Sequence, residues 1–182
     1  MSSDNSPAIH RFSRLLGGLA IVALLAGCQA RPLYSEASGN AVKLAEIEFS
    51  DADTRVEQVV RNHLVYLTSG GAGETRTPAY RVELHILSTY SDVLDDHKAV
   101  AQPGRIRVGG TYWISRISDG KVLKTGQRTV TALTDISDQR FAELRSIRDA
   151  ENRAARELAE FIRADIAIVL EKEPQPQPTW QK

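Results

Sequence analysis

Between Tyr80 and Leu133 the apolar residues recur at nearly every second position, and on either side of that block they recur every third or fourth. This change of period limits the fold more than any other feature, because side chains alternate between two faces along a strand but return to one face every 3.6 residues along a helix. Tyr80, Val82, Leu84 and Ile86 alternate with Arg81, Glu83 and His85, which predicts a half-buried strand. A second run, Arg105 to Ile117, sets Ile106, Val108, Tyr112 and Ile114 on one face and Arg105, Arg107, Thr111 and Trp113 on the other. The turn Ser118-Asp119-Gly120 joins it to Lys121–Leu133, rich in Val and Thr, so the two runs read as a β-hairpin. Residues 91–104, with Asp92, Asp95, Asp96, His97 and Lys98, read as a polar loop.

The flanks are helical in pattern. Thr54-Arg55-Val56-Glu57 has the form of a capping box, in which each side chain satisfies an orphan backbone donor. Val56, Val59, Val60, His63, Leu64 and Leu67 then share one stripe, and Gly70-Gly71 supplies a stop. From about Asp138 to Glu171 a second stripe runs through Phe141, Leu144, Ile147, Ala154, Leu158, Phe161, Ile162, Ile166 and Val169. At 1.5 Å per residue this is ~50 Å of helix, long enough to expect a bend or a late start. Val42, Leu44, Ile47 and Phe49 suggest a short strand with a phase slip near Ala45.

The order β-α-β-β-β-α predicts an α+β fold, a four-stranded sheet covered on one face by two amphipathic helices. The other face is expected to carry Arg105, Arg107 and Trp113, joined by Lys121, Lys124 and Arg128. A helix-free face with basic and aromatic side chains is either solvated or a contact surface.

The N-terminus reads as an export signal. His10, Arg11 and Arg14 precede an apolar stretch from Leu15 to Ala26, and ~12 apolar residues are too few to span ~30 Å of hydrocarbon. Leu25-Ala26-Gly27-Cys28 has Leu at −3 and small residues before Cys, the lipobox of bacterial lipoprotein processing. A lone Cys is otherwise a small buried hydrophobe or a free thiol. Acylation at Cys28 would contribute about 0.8 kcal/mol per buried methylene, an effectively permanent anchor. Gln29, rather than Asp, after the cysteine resembles the Gram-negative default to the outer membrane. The expected organisation is a signal peptide at 1–27, a lipidated tether at 28–40, one domain at 41–172 and a disordered Pro/Gln tail at 173–182.

Composition narrows the functional classes. With one Cys in 182 residues there is no internal disulfide, multi-cysteine zinc site or iron–sulfur cluster. Lys plus Arg, at 23, balance 23 Asp plus Glu, so no global field attracts nucleic acid and a polyanion would need a local basic patch. Asp95, Asp96 and His97 are adjacent residues of one loop and make a poor metal site. His63 reads as a satisfied core histidine or a helix C-terminal partner. Gly70-Gly71-Ala72-Gly73 follows a helix and lacks Gly-Lys-Ser/Thr, which makes it a connector rather than a phosphate loop. With no Gly-x-Ser-x-Gly either, no enzymatic activity and no cofactor are expected.

Taken in order, several segments resemble the LPS-assembly lipoprotein LptE family in its alphaproteobacterial form. They are Arg31-Pro32-Leu33-Tyr34 after the lipobox cysteine, Arg61-Asn62-His63-Leu64, Tyr80-Arg81-Val82-Glu83-Leu84, Asp119-Gly120-Lys121-Val122, Phe141-Ala142-Glu143-Leu144 and Arg153-Ala154-Ala155-Arg156-Glu157-Leu158-Ala159. The chain departs from the family pattern at Gln29-Ala30 and at Pro103-Gly104. The resemblance implies a lipid-anchored outer-membrane protein, facing the periplasm, that plugs and supports assembly of the LptD-type β-barrel and binds lipopolysaccharide in transit. An accessory of another secretion or lipid-transport machine is the alternative. Lipopolysaccharide carries phosphates and acidic sugars, which call for convergent Arg or Lys donors. Arg105, Arg107, Lys121 and Lys124 are the expected ligand contacts.

Overall fold

A computed structural model describes residues 40–92, 101–137 and 139–174. The signal segment, Cys28, the loop carrying Asp95, Asp96 and His97, and the tail at 175–182 lie outside these residues. The elements are α1 (Asn40–Ala45), β1 (Ile47–Phe49), α2 (Arg55–Ser69), β2 (Tyr80–Asp92), β3 (Ala101–Arg116), β4 (Val122–Ser137) and α3 (Arg140–Glu171). As expected, the architecture is α+β with both long helices on one face of a four-stranded sheet. The strands lie in sequence order, β1 parallel to β2, and β2, β3 and β4 antiparallel.

Local chemistry starts and stops α2 as anticipated. Thr54 Oγ1 accepts the Glu57 backbone N–H at 3.2 Å, and Gly70 ends the helix at φ 62, a conformation that costs a residue without Cβ little. Val56, Val60 and Leu64 from α2 meet Ile47, Phe49, Val82, Leu84, Ile86, Ile106, Val108, Tyr112 and Ile114 from the sheet and Leu158, Ile162, Ile166 and Leu170 from α3 in one core. Gly110 lets α3 approach: a Cβ there would stand 2.7 Å from Ile86 and 3.3 Å from Leu158. The helices α2 and α3 run in the same direction, since Arg55 pairs with Glu151 and, two turns on, His63 Nε2 lies 3.6 Å from Glu160 Oε1. His63 is therefore at the helix–helix rim, stacked with Tyr66, rather than in the core.

Four features differ from the sequence-based expectation. The segment predicted as a strand from Val42 to Phe49 is split: residues 40–45 form a helix and only Ile47–Phe49 pair with β2. The cause is tertiary. Lys43 Nζ donates to the carbonyls of Leu170 (2.8 Å) and Glu173 (2.6 Å), and Asn40 Nδ2 to that of Ala167, so α1 caps the open carbonyls at the C-terminus of α3. The strands are also longer than predicted, because backbone pairing carries on through Asp92 opposite Gly104 and Pro103 opposite Asp135. Helix α3 covers nearly all of the expected span, from Arg140 through 32 residues, about 48 Å, without the late start that its length suggested. Finally, Phe141, Leu144 and Phe161 of its predicted stripe are exposed; the first two lie in the turns of α3 that precede its contact with the start of α2.

Candidate functional site

The pairing register places the predicted surface residues directly. On the helix-free face, cross-strand rows run Glu83–Trp113–Thr125, His85–Thr111–Gln127, Leu87–Gly109–Thr129, Thr89–Arg107–Thr131 and Ser91–Arg105–Leu133. Arg105 is half-buried and Arg107 exposed, and among the described residues neither has an ion-pair partner. Two residues apart on one strand, they stand about 7 Å from each other and add their fields. Trp113 is 37% exposed on the same face.

Lys124 and Arg128 do not join them. Lys124 pairs in register with Ile114 and Arg128 with Gly110, both of which point to the helices. A register shift after Ile114 leaves Lys121 in the turn at the end of the sheet. Seven residues of strand separate Arg107 from the level of Lys124, about 23 Å. The four candidates therefore form two separate pairs.

What holds Lys124 and Arg128 is Asp165 of α3. This buried carboxylate accepts Arg128 Nε at 2.8 Å and Nη2 at 2.9 Å, Lys124 Nζ at 3.0 Å, and the Tyr112 hydroxyl. The bidentate Arg128 bonds, helped by Tyr112 and Lys124 and opposed by burial, hold the Asp165 carboxyl well below the usual carboxylate range. Burial, with the Asp165 bond, pushes the Tyr112 phenol up, and the same bond raises the Arg128 guanidinium. Tyr112 reaches Asp165 by lying over its cross-strand neighbour Gly126, where a Cβ would come within 2.3 Å of the ring. Asp165 was legible as the charged residue on a stripe otherwise apolar at Ile162, Ile166 and Val169, although the sequence reading passed over it.

Among the described residues, three hollows border these groups. Beside β1, a hollow of ≈ 670 Å³ is lined by Glu48, Asp51, Asp53, Glu83, His85 and Trp113 among others; Glu48 is engaged by Arg81. Its carboxylates come from two strands and a loop, so no spacing along the chain announces them. A second, ≈ 510 Å³, lies against Tyr80, Arg116 and Ile117. The third, ≈ 420 Å³, sits between the start of β4 and the end of α3 and brings Lys121 and Lys124 together with Lys172, which the sequence reading did not single out. Among the described residues no group of three or more His, Cys, Asp or Glu could hold a metal ion, and no helix is long and apolar enough to cross a membrane.

No protein-family model and no curated protein matches the chain. Among solved structures it is similar to a candidate lipoprotein from Caulobacter crescentus CB15, with a TM-score of 0.58 and 24% identity over 75% of this chain and 98% of that one. Looser likenesses are a minor lipoprotein from Acinetobacter baumannii (TM-score 0.44, 20% identity, 67% and 90% covered) and the rare lipoprotein B from Shewanella oneidensis (TM-score 0.44, 14% identity, 68% and 92% covered). The Caulobacter likeness establishes a shared fold: the helix-on-sheet architecture is one found in a bacterial protein described as a lipoprotein.

Proposed function

We propose that the chain is a non-enzymatic outer-membrane lipoprotein, anchored through Cys28, that occupies the lumen of an LptD-type β-barrel, supports its assembly and binds lipopolysaccharide on its way to the outer leaflet. The observation that carries this reading is the helix-free sheet face. It presents a polar row of Thr125, Gln127, Thr129 and Thr131 beside Trp113 and the adjacent cations Arg105 and Arg107. A barrel lumen is polar and wet, so a plug meets it with hydroxyls, amides and local charge rather than with an apolar patch. Guanidinium groups bind phosphate bidentately, which suits the phosphorylated ligand. The lipobox and the family resemblance of the sequence supply the compartment.

The test is extraction in mild detergent from a Gram-negative host. Recovery with a barrel of ~26 strands is expected; recovery with a secretin or an ABC transporter, and never with the barrel, overturns the reading in favour of another envelope machine. Arg105→Glu combined with Arg107→Glu lowers lipopolysaccharide binding at unchanged thermal stability. Unchanged binding removes these two residues from the site.

A further inference from the structure

The lysine-lined hollow between β4 and α3 lies at the end of the domain where the tether enters. Asn40 and Lys43 are bonded to the carbonyls of Ala167, Leu170 and Glu173, so the N-terminal end of the domain is fixed to the last turns of α3. About 12 residues separate Cys28 from Asn40 and reach at most about 40 Å. An acylated Cys28 therefore keeps this end of the domain close to the leaflet that holds the acyl chains.

The chemistry of the hollow fits that neighbour. Lys121, Lys124 and Lys172 surround a floor that includes Val122 and Ile168, which are 55% and 44% exposed. Of the carboxylates nearby, Glu173 is held by Arg116, and Asp165 is shared by Lys124 and Arg128. Lys121 and Lys172 have no ion-pair partner among the described residues, and the groove is left with excess positive charge over an exposed apolar floor. Ammonium groups set over aliphatic side chains match the boundary between phosphate and acyl chain in a bilayer.

We propose that this groove is a membrane-contact surface that seats the phosphates of anionic phospholipids in the leaflet carrying the chain's own anchor. Each Lys near such a surface contributes modestly, but the tether makes the contact intramolecular and raises the effective lipid concentration. The groove would hold this end of the domain at the level of the leaflet's phosphates, with Arg105 and Arg107 about 35 Å along the sheet. The placement of the membrane rests on the acylation reading above; the affinity of the groove for anionic lipid does not.

The test uses the full chain from residue 28 carrying Cys28→Ser, so that no acyl chain contributes. It is mixed with vesicles of phosphatidylglycerol and phosphatidylcholine, with phosphatidylcholine alone, and with lipopolysaccharide aggregates. Sedimentation with the phosphatidylglycerol vesicles, reduced by salt, is expected. Lys121→Gln plus Lys172→Gln should weaken it about thirtyfold with unchanged circular dichroism, while Arg145→Gln plus Arg156→Gln, two exposed residues of α3 outside the groove, leaves it unaltered. Equal binding to neutral vesicles, no loss in the lysine variant, an equal loss in the arginine variant, or binding to lipopolysaccharide alone overturns the proposal. Intact mass of the wild-type chain from a Gram-negative host reports acylation separately, so a failed groove and a failed anchor give different results.

Discussion

The two ends of the sheet are built differently. At the end where α1 enters, both long helices cover the strands and, outside the groove of Lys121 and Lys172, the charges are matched: Lys43 on the carbonyls of Leu170 and Glu173, Arg116 between Asp119 and Glu173, Lys124 and Arg128 on Asp165. At the other end β2, β3 and β4 continue past the start of α2, and among the described residues the N-terminal half of α3 lies beside them, held by Arg153 on the Leu133 carbonyl at 3.1 Å. There Tyr90, Leu133, Phe141 and Leu144 are exposed, with Phe141 at 78%, and Arg105 and Arg107 have no ion-pair partner among the described residues. Apart from that groove, the end at α1 is finished within the chain. The other keeps apolar and cationic groups that a partner or ligand can use, which is where a contact surface costs the fold least.

If this contrast is right, substitutions at the two ends differ sharply in their effect on stability. The largest loss is expected from Asp165→Asn, about 3 kcal/mol, because it removes the shared charge from Arg128 and Lys124 and leaves the Tyr112 hydroxyl poorly matched in the core. Urea unfolding measures it, and a loss below about 1 kcal/mol would dissolve the distinction. The same variant should flatten the acid limb of the stability curve. Since the Asp165 carboxyl is held low in the fold, its contribution is fully present above the ordinary carboxylate range, about pH 4, and is lost as pH falls through the lowered folded value. Glu57 acts in the opposite sense: burial raises its carboxyl, so the fold gains as that group takes up a proton.

Gly126→Ala comes next, at about 2 kcal/mol, since the added methyl overlaps the Tyr112 ring and displaces the hydroxyl from Asp165. A thermal scan would show it as a clear drop in Tm, and no drop would mean that the ring does not lie over Gly126. The smallest effect belongs to the other end. Phe141→Ser changes stability by less than about 0.5 kcal/mol, and a larger loss by urea unfolding would show that this end is packed after all.

Much of this division was legible in the sequence, and the parts that were not share a cause. Alternation from Tyr80 to Ile86 and from Ile106 to Ile114 named the core face because burial there is set by local period. The capping pair Thr54 and Glu57 placed the start of α2 for the same reason. The helix at Asn40–Ala45 was hidden because its six residues are stabilised by carbonyls 127 positions away. The strand residues Asp92 and Gly104 looked like loop because their pairing is a backbone contact with no apolar alternation to announce it. At the candidate site, Arg105 and Arg107 could be assigned to the open face from alternation alone. Lys124 and Arg128 could not, since their faces depend on the register set by the shift after Ile114 and on a carboxylate of another element.

The central claim is that the helix-free sheet face meets the wall of a barrel. Photo-crosslinking in living cells tests it most directly, with a photoreactive residue introduced in turn at Arg107, Gln127 and Thr131 of the lipidated chain. Adducts to one large outer-membrane β-barrel from all three positions are the predicted result. Stable, lipidated protein that gives no barrel adduct from any of them would contradict it.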